Sequence, residues 1–188
     1  MNIRGIIHVG AHYGEEIPTY LAAGIKKIIC FEPLEQNLEV LRKNTSNIVK
    51  IYPYALGDIE KVVEMYVSNN QAQSSSVLKP KKHLKNHRHV KFTNIAKVEM
   101  KTMSSFKQDM EDCNYLSIDV QGYEYEVLLG GLDLLNQFDY IYCEVNRDET
   151  YEGNKLVQDL DMLLSKYNFR RVETSWDGGI WGDALYIK

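Results

Sequence analysis

Gly5-Ile6-Ile7-His8-Val9-Gly10-Ala11-His12-Tyr13-Gly14-Glu15-Glu16 decides how this chain is read. The apolar run from Gly5 to Val9 has the length of a short buried strand and stops at a glycine turn. Beyond the turn, Ile17, Tyr20, Leu21 and Gly24 fall at helical spacing. Glu15 and Glu16 stand at the amino end of that helix, where carboxylates suit the helix dipole, and Pro18 falls in its first turn, where proline is tolerated. Strand, glycine turn and helix in this order describe a ligand-binding βα unit, because glycine lets backbone approach a ligand closely at positive φ. The spacing is G-x-x-x-G. A dinucleotide turn, G-x-G-x-x-G, needs glycine where this chain has His12, which argues against NAD or FAD.

The same rhythm continues outward. Lys27 to Phe31 reads as a second buried strand, and Pro33 opens a helix carrying Leu34, Leu38 and Leu41 on one face. Asn47 to Tyr52 reads as a third strand, Tyr115 to Val120 and Tyr140 to Val145 as later ones. Helices follow each of these two, marked by Tyr125, Leu128, Leu129 and Leu132 and by Leu156, Leu160, Leu163, Leu164 and Tyr167. Phe169 to Thr174 and Ala184 to Ile187 face each other across a Gly-rich turn. The pattern predicts an α/β fold: a doubly wound, mostly parallel sheet with a C-terminal antiparallel hairpin. About residues 59–102 the rhythm breaks. Lys61 to Val67 and Val98 to Thr102 read as strands and Asn69 to Ser76 as a polar loop, so extra antiparallel strands attached to the sheet are expected there.

The chain has 188 residues, 44% hydrophobic and 26% charged, with a net charge of −4. One domain over 1–188 is expected, with the inserted β/loop and basic segment at about 59–102. The acidic balance speaks against a nucleic-acid partner. The apolar run near the amino terminus is too short for a signal-peptide core or a membrane span. Cys30, Cys113 and Cys143 form no CxxC pair and sit in or beside apolar runs, so buried free thiols and a cytoplasmic location are expected.

Glu32 ends the second strand, where an acidic side chain accepts hydrogen bonds from vicinal ribose hydroxyls. With the glycine loop and Glu32 placed, the sequence resembles the FkbM family of methyltransferases. The likeness runs in order through Val9 to Gly14, Phe31-Glu32-Pro33 with Asn37 and Leu41, Ala55-Leu56-Gly57-Asp58, Ser74-Ser75-Ser76, and Ile118-Asp119-Val120-Gln121-Gly122-Tyr123-Glu124 with Val127, Leu128 and Gly130. The last stretch is the most specific, since the family typically has I-D-x-E-G-x-E there. His8 stands where the family usually has aspartate, which bears on how the methionine end of the cofactor is held. Gln121 stands where it usually has glutamate, a change expected to alter a local contact.

The resemblance implies a class I, Rossmann-like methyltransferase using S-adenosylmethionine and methylating a hydroxyl oxygen of a sugar, glycan or glycosylated metabolite. Cofactor contacts are then expected from His8, Gly10, Ala11, His12, Tyr13, Gly14, Glu15, Glu32, Pro33, Ala55, Leu56 and Asp119. A non-catalytic cofactor-binding partner module and a methyltransferase of a non-carbohydrate small molecule are the alternatives. In such a sheet the ligand lies at the carboxyl ends of the strands where strand order reverses, so the Gly10 loop and Asp119 should lie side by side. An alcohol acceptor needs a proton acceptor, for which Asp119, Glu144 and His12 are the catalytic candidates in that order. Asp119 could instead cap the helix that begins near Gly122. Asp119, Glu144 and Asn146 could hold magnesium or manganese, although no spacing motif supports a metal.

Lys79 to Lys91 carries Lys79, Lys81, Lys82, Lys85, Arg88 and Lys91 together with His83, His87 and His89. A zinc site there lacks further ligands, so a solvated basic helix is expected. The functional alternative is a flap steering an anionic acceptor. Trp176, Trp181 and Asp183 lie near the terminal hairpin, where core packing or sugar stacking would employ them.

Overall fold

The computed structural model describes residues 1–84 and 87–188. In chain order the strands are β1 (Ile6–Val9), β2 (Ile28–Phe31), β3 (Val49–Tyr52), β4 (Ala55–Leu56), β5 (Lys61–Ser68), β6 (Phe92–Lys101), β7 (Tyr115–Ile118), β8 (Tyr140–Asn146), β9 (Arg170–Trp176) and β10 (Trp181–Ile187). Seven of them form one sheet in the order β3-β2-β1-β7-β8-β10-β9. Every pairing from β3 to β8 is parallel, and β10 enters antiparallel between β8 and β9. This is the doubly wound sheet with a C-terminal hairpin that the alternating pattern predicts. Both faces of β1 and β2 are buried, as helices on both sides require.

Two apolar layers flank the sheet. Ile6, Ile28, Cys30, Leu38 and Leu41 pack on one side, beneath the helices Ile17–Ala22 and Glu35–Asn44. Ile7, Phe31, Leu116, Leu128 and Leu160 pack on the other, with the helices Glu124–Leu129 and Val157–Ser165. Cys30, Cys113 and Cys143 are free and buried in these layers, as expected. Among the described residues, no helix is long and apolar enough to cross a membrane.

Three local expectations change. The second helix begins at Glu35, not at Pro33: Leu34 is still extended at ψ 120° and its N–H donates to Glu32, which holds it out of the helix. The strand expected at Val98 to Thr102 runs from Phe92 to Lys101; its first half is largely exposed and carries polar residues such as Thr93 and Asn94, so no apolar alternation marks it. The central segment is also not an extension of the main sheet. β4, β6 and β5 form a separate three-stranded sheet, with β4 parallel to β6 and β5 antiparallel to it. The loop expected between Asn69 and Ser76 is present, yet Ser74, Ser75 and Ser76 are buried. Their burial is made possible by hydrogen bonds: Ser74 N donates to Ser68 Oγ at 3.1 Å, and Ser76 pairs with Tyr66 across a bridge. This second sheet roofs the carboxyl ends of the first.

Candidate active site

Between the two sheets lies a cavity of about 750 Å³, the size of a small-molecule site. Its floor is built where β1, β7 and β8 end. Gly10 has φ +83°, and a Cβ there would stand 1.8 Å from the carbonyl oxygen of Asp119, so only glycine fits. Asp119 N donates to Val9 O at 3.0 Å, which fixes the two strand ends side by side as expected. Ala11 and Gly14 serve packing instead of lining the cavity. Ala11 belongs to the apolar layer around Ile17, and a Cβ on Gly14 would meet Leu41 Cδ1 at 2.7 Å.

His12 holds a left-handed backbone at φ +46°. Its N–H donates to Glu32 Oε2 at 3.0 Å, Nδ1 lies 2.7 Å from Glu15 Oε1, and Nε2 lies 2.8 Å from Gln71 O. With both ring nitrogens occupied, His12 ties the glycine loop to the roof and has no nitrogen free for proton transfer. Tyr13, which does not line the cavity, stacks on the His12 ring at 3.9 Å. His8 is buried beside Tyr20, with its Nδ1 3.3 Å from the hydroxyl, and burial holds its pKa below the ordinary value. The end of β1 therefore presents a neutral ring to the cavity.

Glu32 is buried and accepts three hydrogen bonds: Leu34 N at 2.9 Å and Asn37 Nδ2 at 3.2 Å on Oε1, and His12 N on Oε2. Burial pushes its pKa up to about 7, against the pull of these donors. Asn37 is missed by reading residues one at a time. Its Nδ2 donates to Glu32, while its Oδ1 is buried and has no partner among the described residues, an unmet acceptor in the cavity wall. Pro33, Ala55 and Leu56 line the same end of the cavity.

Opposite them stand Asp119, Glu144 and Asp183, with Glu124 behind. Asp119, Glu124 and Glu144 each place an oxygen within 4.8 Å of the others. Asp183 lies directly opposite Glu144 across the β8–β10 pairing, because β10 inserts there. Burial first, then the surrounding carboxylates, push Asp119 up to about 6, Glu124 up to about 8 and Glu144 well above its ordinary range. Glu124 accepts from Val120 N at 3.1 Å and Gly122 N at 3.0 Å, so it fastens the turn. Asp119 is not the cap of the following helix, since the N-cap position is Tyr123 and no side chain caps it. Gln121 proves far more than a local contact. Its Nε2 donates to Asp119 Oδ1 and to Glu144 Oε2, each at 2.8 Å. Asn146 does not line the cavity; its Oδ1 accepts from Thr150 Oγ1 at 2.6 Å.

The basic segment departs from the solvated helix expected of it. Lys79 pairs with Glu152 at 3.4 Å, Lys81 with Glu149, and Lys82 with Asp148 at 2.5 Å. Backbone bonds accompany them, including His83 N to Thr150 O at 3.1 Å. The acidic stretch 148–152 thus straps the segment down, and His83, His87 and His89 turn toward the cavity. Burial and its histidine neighbours lower the pKa of His83 to about 4. Lys85 lies outside the described residues. Trp181 and Asp183 line the cavity, whereas Trp176 stacks under Arg147 at 3.6 Å.

A sequence profile of the methyltransferase FkbM domain matches residues 8–171. The 2-O-methyltransferase NoeI of Sinorhizobium fredii is 25% identical over 191 residues, spanning 96% of this chain and 77% of that protein. The structure of a Listeria monocytogenes protein assigned, without demonstrated activity, as an S-adenosylmethionine-dependent methyltransferase superposes with a TM-score of 0.57 at 12% identity, covering 100% of this chain and 92% of that one. Sp1610 of Streptococcus pneumoniae, solved with S-adenosyl-L-methionine, gives 0.54 at 15% identity over 98% of this chain, which spans 66% of its length. At these identities the structural likeness is one of fold.

Proposed function

Because this chain belongs to the methyltransferase FkbM family, we propose that it transfers the methyl group of S-adenosylmethionine to a hydroxyl of a sugar, glycan or glycosylated metabolite. The observation that carries this reading is a carboxylate raised toward neutrality, Asp119, fixed against the Gly10 loop in the floor of one cavity. The name of the Sinorhizobium relative, a 2-O-methyltransferase, supports the oxygen acceptor.

The residues present fit the cofactor. Glu32 keeps acceptor capacity on Oε2, and Asn37 Oδ1 is a buried acceptor with no partner among the described residues. Glu32, just past the end of β2, and Asn37, on the helix that follows, are two acceptors that match a vicinal diol, which offers two hydroxyl donors. The acid-rich floor suits a ligand carrying positive charge, since Glu15, Glu16, Asp119 and Asp183 all border the cavity. When bound, S-adenosylmethionine supplies an electrophilic methyl group on a sulfonium. The chain contributes positioning and a proton acceptor. Asp119 would accept the proton of the acceptor hydroxyl during the transfer. Glu32 and Asn37 would hold the ribose, under the roof sheet that covers the floor.

The test is methyl transfer from labelled S-adenosylmethionine to a panel of sugars, oligosaccharides and glycosylated small molecules. Transfer to a carbohydrate hydroxyl is expected, with kcat/KM rising through one ionisation near pH 6 as Asp119 loses its proton. Transfer only to nitrogen acceptors would overturn the reading.

A further inference from the structure

Asp119, Glu124, Glu144 and Asp183 crowd one corner of the cavity, and among the described residues no lysine or arginine pairs with any of them. Such a gathering of hard oxygen donors ordinarily calls for a cation or for proton uptake. Here another group stands between two of the carboxylates that line the cavity, Asp119 and Glu144. The two N–H bonds of the Gln121 carboxamide reach Asp119 Oδ1 and Glu144 Oε2 at 2.8 Å each. A magnesium or calcium ion would lie about 2.0–2.6 Å from the same oxygens. A neutral donor and a cation cannot both occupy that gap.

The amide is held in this pose from three directions. The Tyr151 hydroxyl lies 2.9 Å from both Gln121 Oε1 and Ser74 O and shares its one proton between them, and with the carbonyl end there the NH₂ end faces the carboxylates. Ser76 Oγ donates to the Gln121 carbonyl at 2.7 Å. The backbone is left-handed at φ +58°, unusual for a residue with a side chain, and its neighbours sustain it. Tyr151 comes from the stretch after β8 and Ser76 from the roof, so separate parts of the chain converge on one side-chain orientation.

We propose that Gln121 is a positioning residue whose carboxamide fills the place between Asp119 and Glu144 that a divalent cation would otherwise take, which makes the proton-accepting site independent of metal. The role given to Asp119 rests on the function proposed above, whereas the clamp is testable without any acceptor. The experiment titrates Mn²⁺ alone into the wild-type chain, Gln121→Glu and Gln121→Ala, read by calorimetry and by melting temperature, with binding of S-adenosylhomocysteine and circular dichroism as checks of folding. Gln121→Glu adds a charged oxygen in nearly the same volume, and Gln121→Ala opens room for a hydrated ion. The wild type should be indifferent to Mn²⁺. Both variants should bind it roughly tenfold or more tightly than the wild type and melt higher in its presence, since ligand charge and number set affinity for hard cations. Adding Asp119→Asn to Gln121→Glu should remove most of that gain. Mn²⁺ binding by the wild type as tight as that of Gln121→Glu overturns the proposal. So does indifference of both folded variants, or of Gln121→Glu alone if Gln121→Ala fails to fold. A standing clamp together with normal turnover in Asp119→Asn would retain this inference and remove the proposed base.

Discussion

The floor of the cavity and its strapped rim handle charge in opposite ways. At the rim, Lys79, Lys81 and Lys82 each meet a carboxylate of the stretch 148–152, and these pairs stand in solvent. On the floor, Asp119, Glu144 and Asp183 face one another without a described cationic partner, inside protein, with a neutral amide between the first two. The rim charges are those the sequence displays most openly, as a dense basic run, and they fasten one loop to another. The floor charges are scattered over Asp119, Glu144 and Asp183 and look ordinary one by one. A charge with a partner in water contributes little beyond attachment, whereas a charge denied both water and partner has a shifted pKa and is available for chemistry.

The sharpest way to break this contrast is Asp119→Asn. The side chain keeps its shape, so binding of S-adenosylhomocysteine should persist while kcat falls by roughly two to four orders of magnitude, the usual contribution of a general base. The rise of rate with pH near pH 6 should vanish with it. Near-normal turnover on a true acceptor would move the role to Glu144. Next in size is the ribose end. Glu32→Ala should weaken S-adenosylhomocysteine by about 1–3 kcal/mol in calorimetry, the range for a hydrogen bond to a charged group. Asn37→Ala should cost less, roughly 1 kcal/mol, as expected for a neutral acceptor.

Glu124 sharpens the contrast through stability. Its pKa in the folded chain, about 8, lies above the ordinary 4.5, so its contribution is fully present at low pH and is lost as pH rises through about 8. Glu124→Gln keeps an oxygen for Val120 N and Gly122 N but cannot ionise. The variant should match the wild type at pH 5 and exceed it at pH 9 by on the order of 1–3 kcal/mol in denaturant melts. An unchanged difference across that range would show that the carboxyl is not strained by its surroundings. The smallest effect belongs to the rim. Replacing Lys79, Lys81 and Lys82 together by alanine should change stability by no more than about 1–2 kcal/mol and leave S-adenosylhomocysteine affinity unchanged. A loss of cofactor binding would mean that the strap supports the floor after all.

The sheet was legible because its signals are local. Ile6-Ile7 and Ile28-Ile29 are too short and apolar to be surface helices, and the glycine turn at Gly10 follows the first of them. The antiparallel hairpin was legible for the same reason. The roof was only half legible, since Thr93, Asn94 and Lys97 on β6 face solvent and carry no apolar alternation to mark a strand. The buried serines of the loop were illegible because nothing in Ser74-Ser75-Ser76 states which hydrogen bonds will satisfy them. In the site, Asp119 and Glu32 were found because each ends a strand. Asn37 was quoted in the resemblance without a role, since its importance lies in an oxygen left without a donor. Gln121 was discounted because the difference between amide and acid matters only when two carboxylates prove to be 2.8 Å away.

One further consequence follows from the separateness of the two sheets. The cavity floor is made by strand ends of the seven-stranded sheet, while the roof closes on itself as β4-β6-β5 and, among the described residues, shares no strand ladder with it. Beyond the strap that ties Lys79, Lys81 and Lys82 to the stretch 148–152, hydrogen bonds between them run through His12 to Gln71, Tyr151 to Ser74, and Ser76 to Gln121. In evolutionary terms the cavity is a socket with an exchangeable cover. Substitutions between Ile59 and Phe92 can reshape the space over the floor without disturbing the pairing that sets Gly10 against Asp119, provided those ties survive. Change in the cover away from those ties leaves the strand pairing of the floor intact.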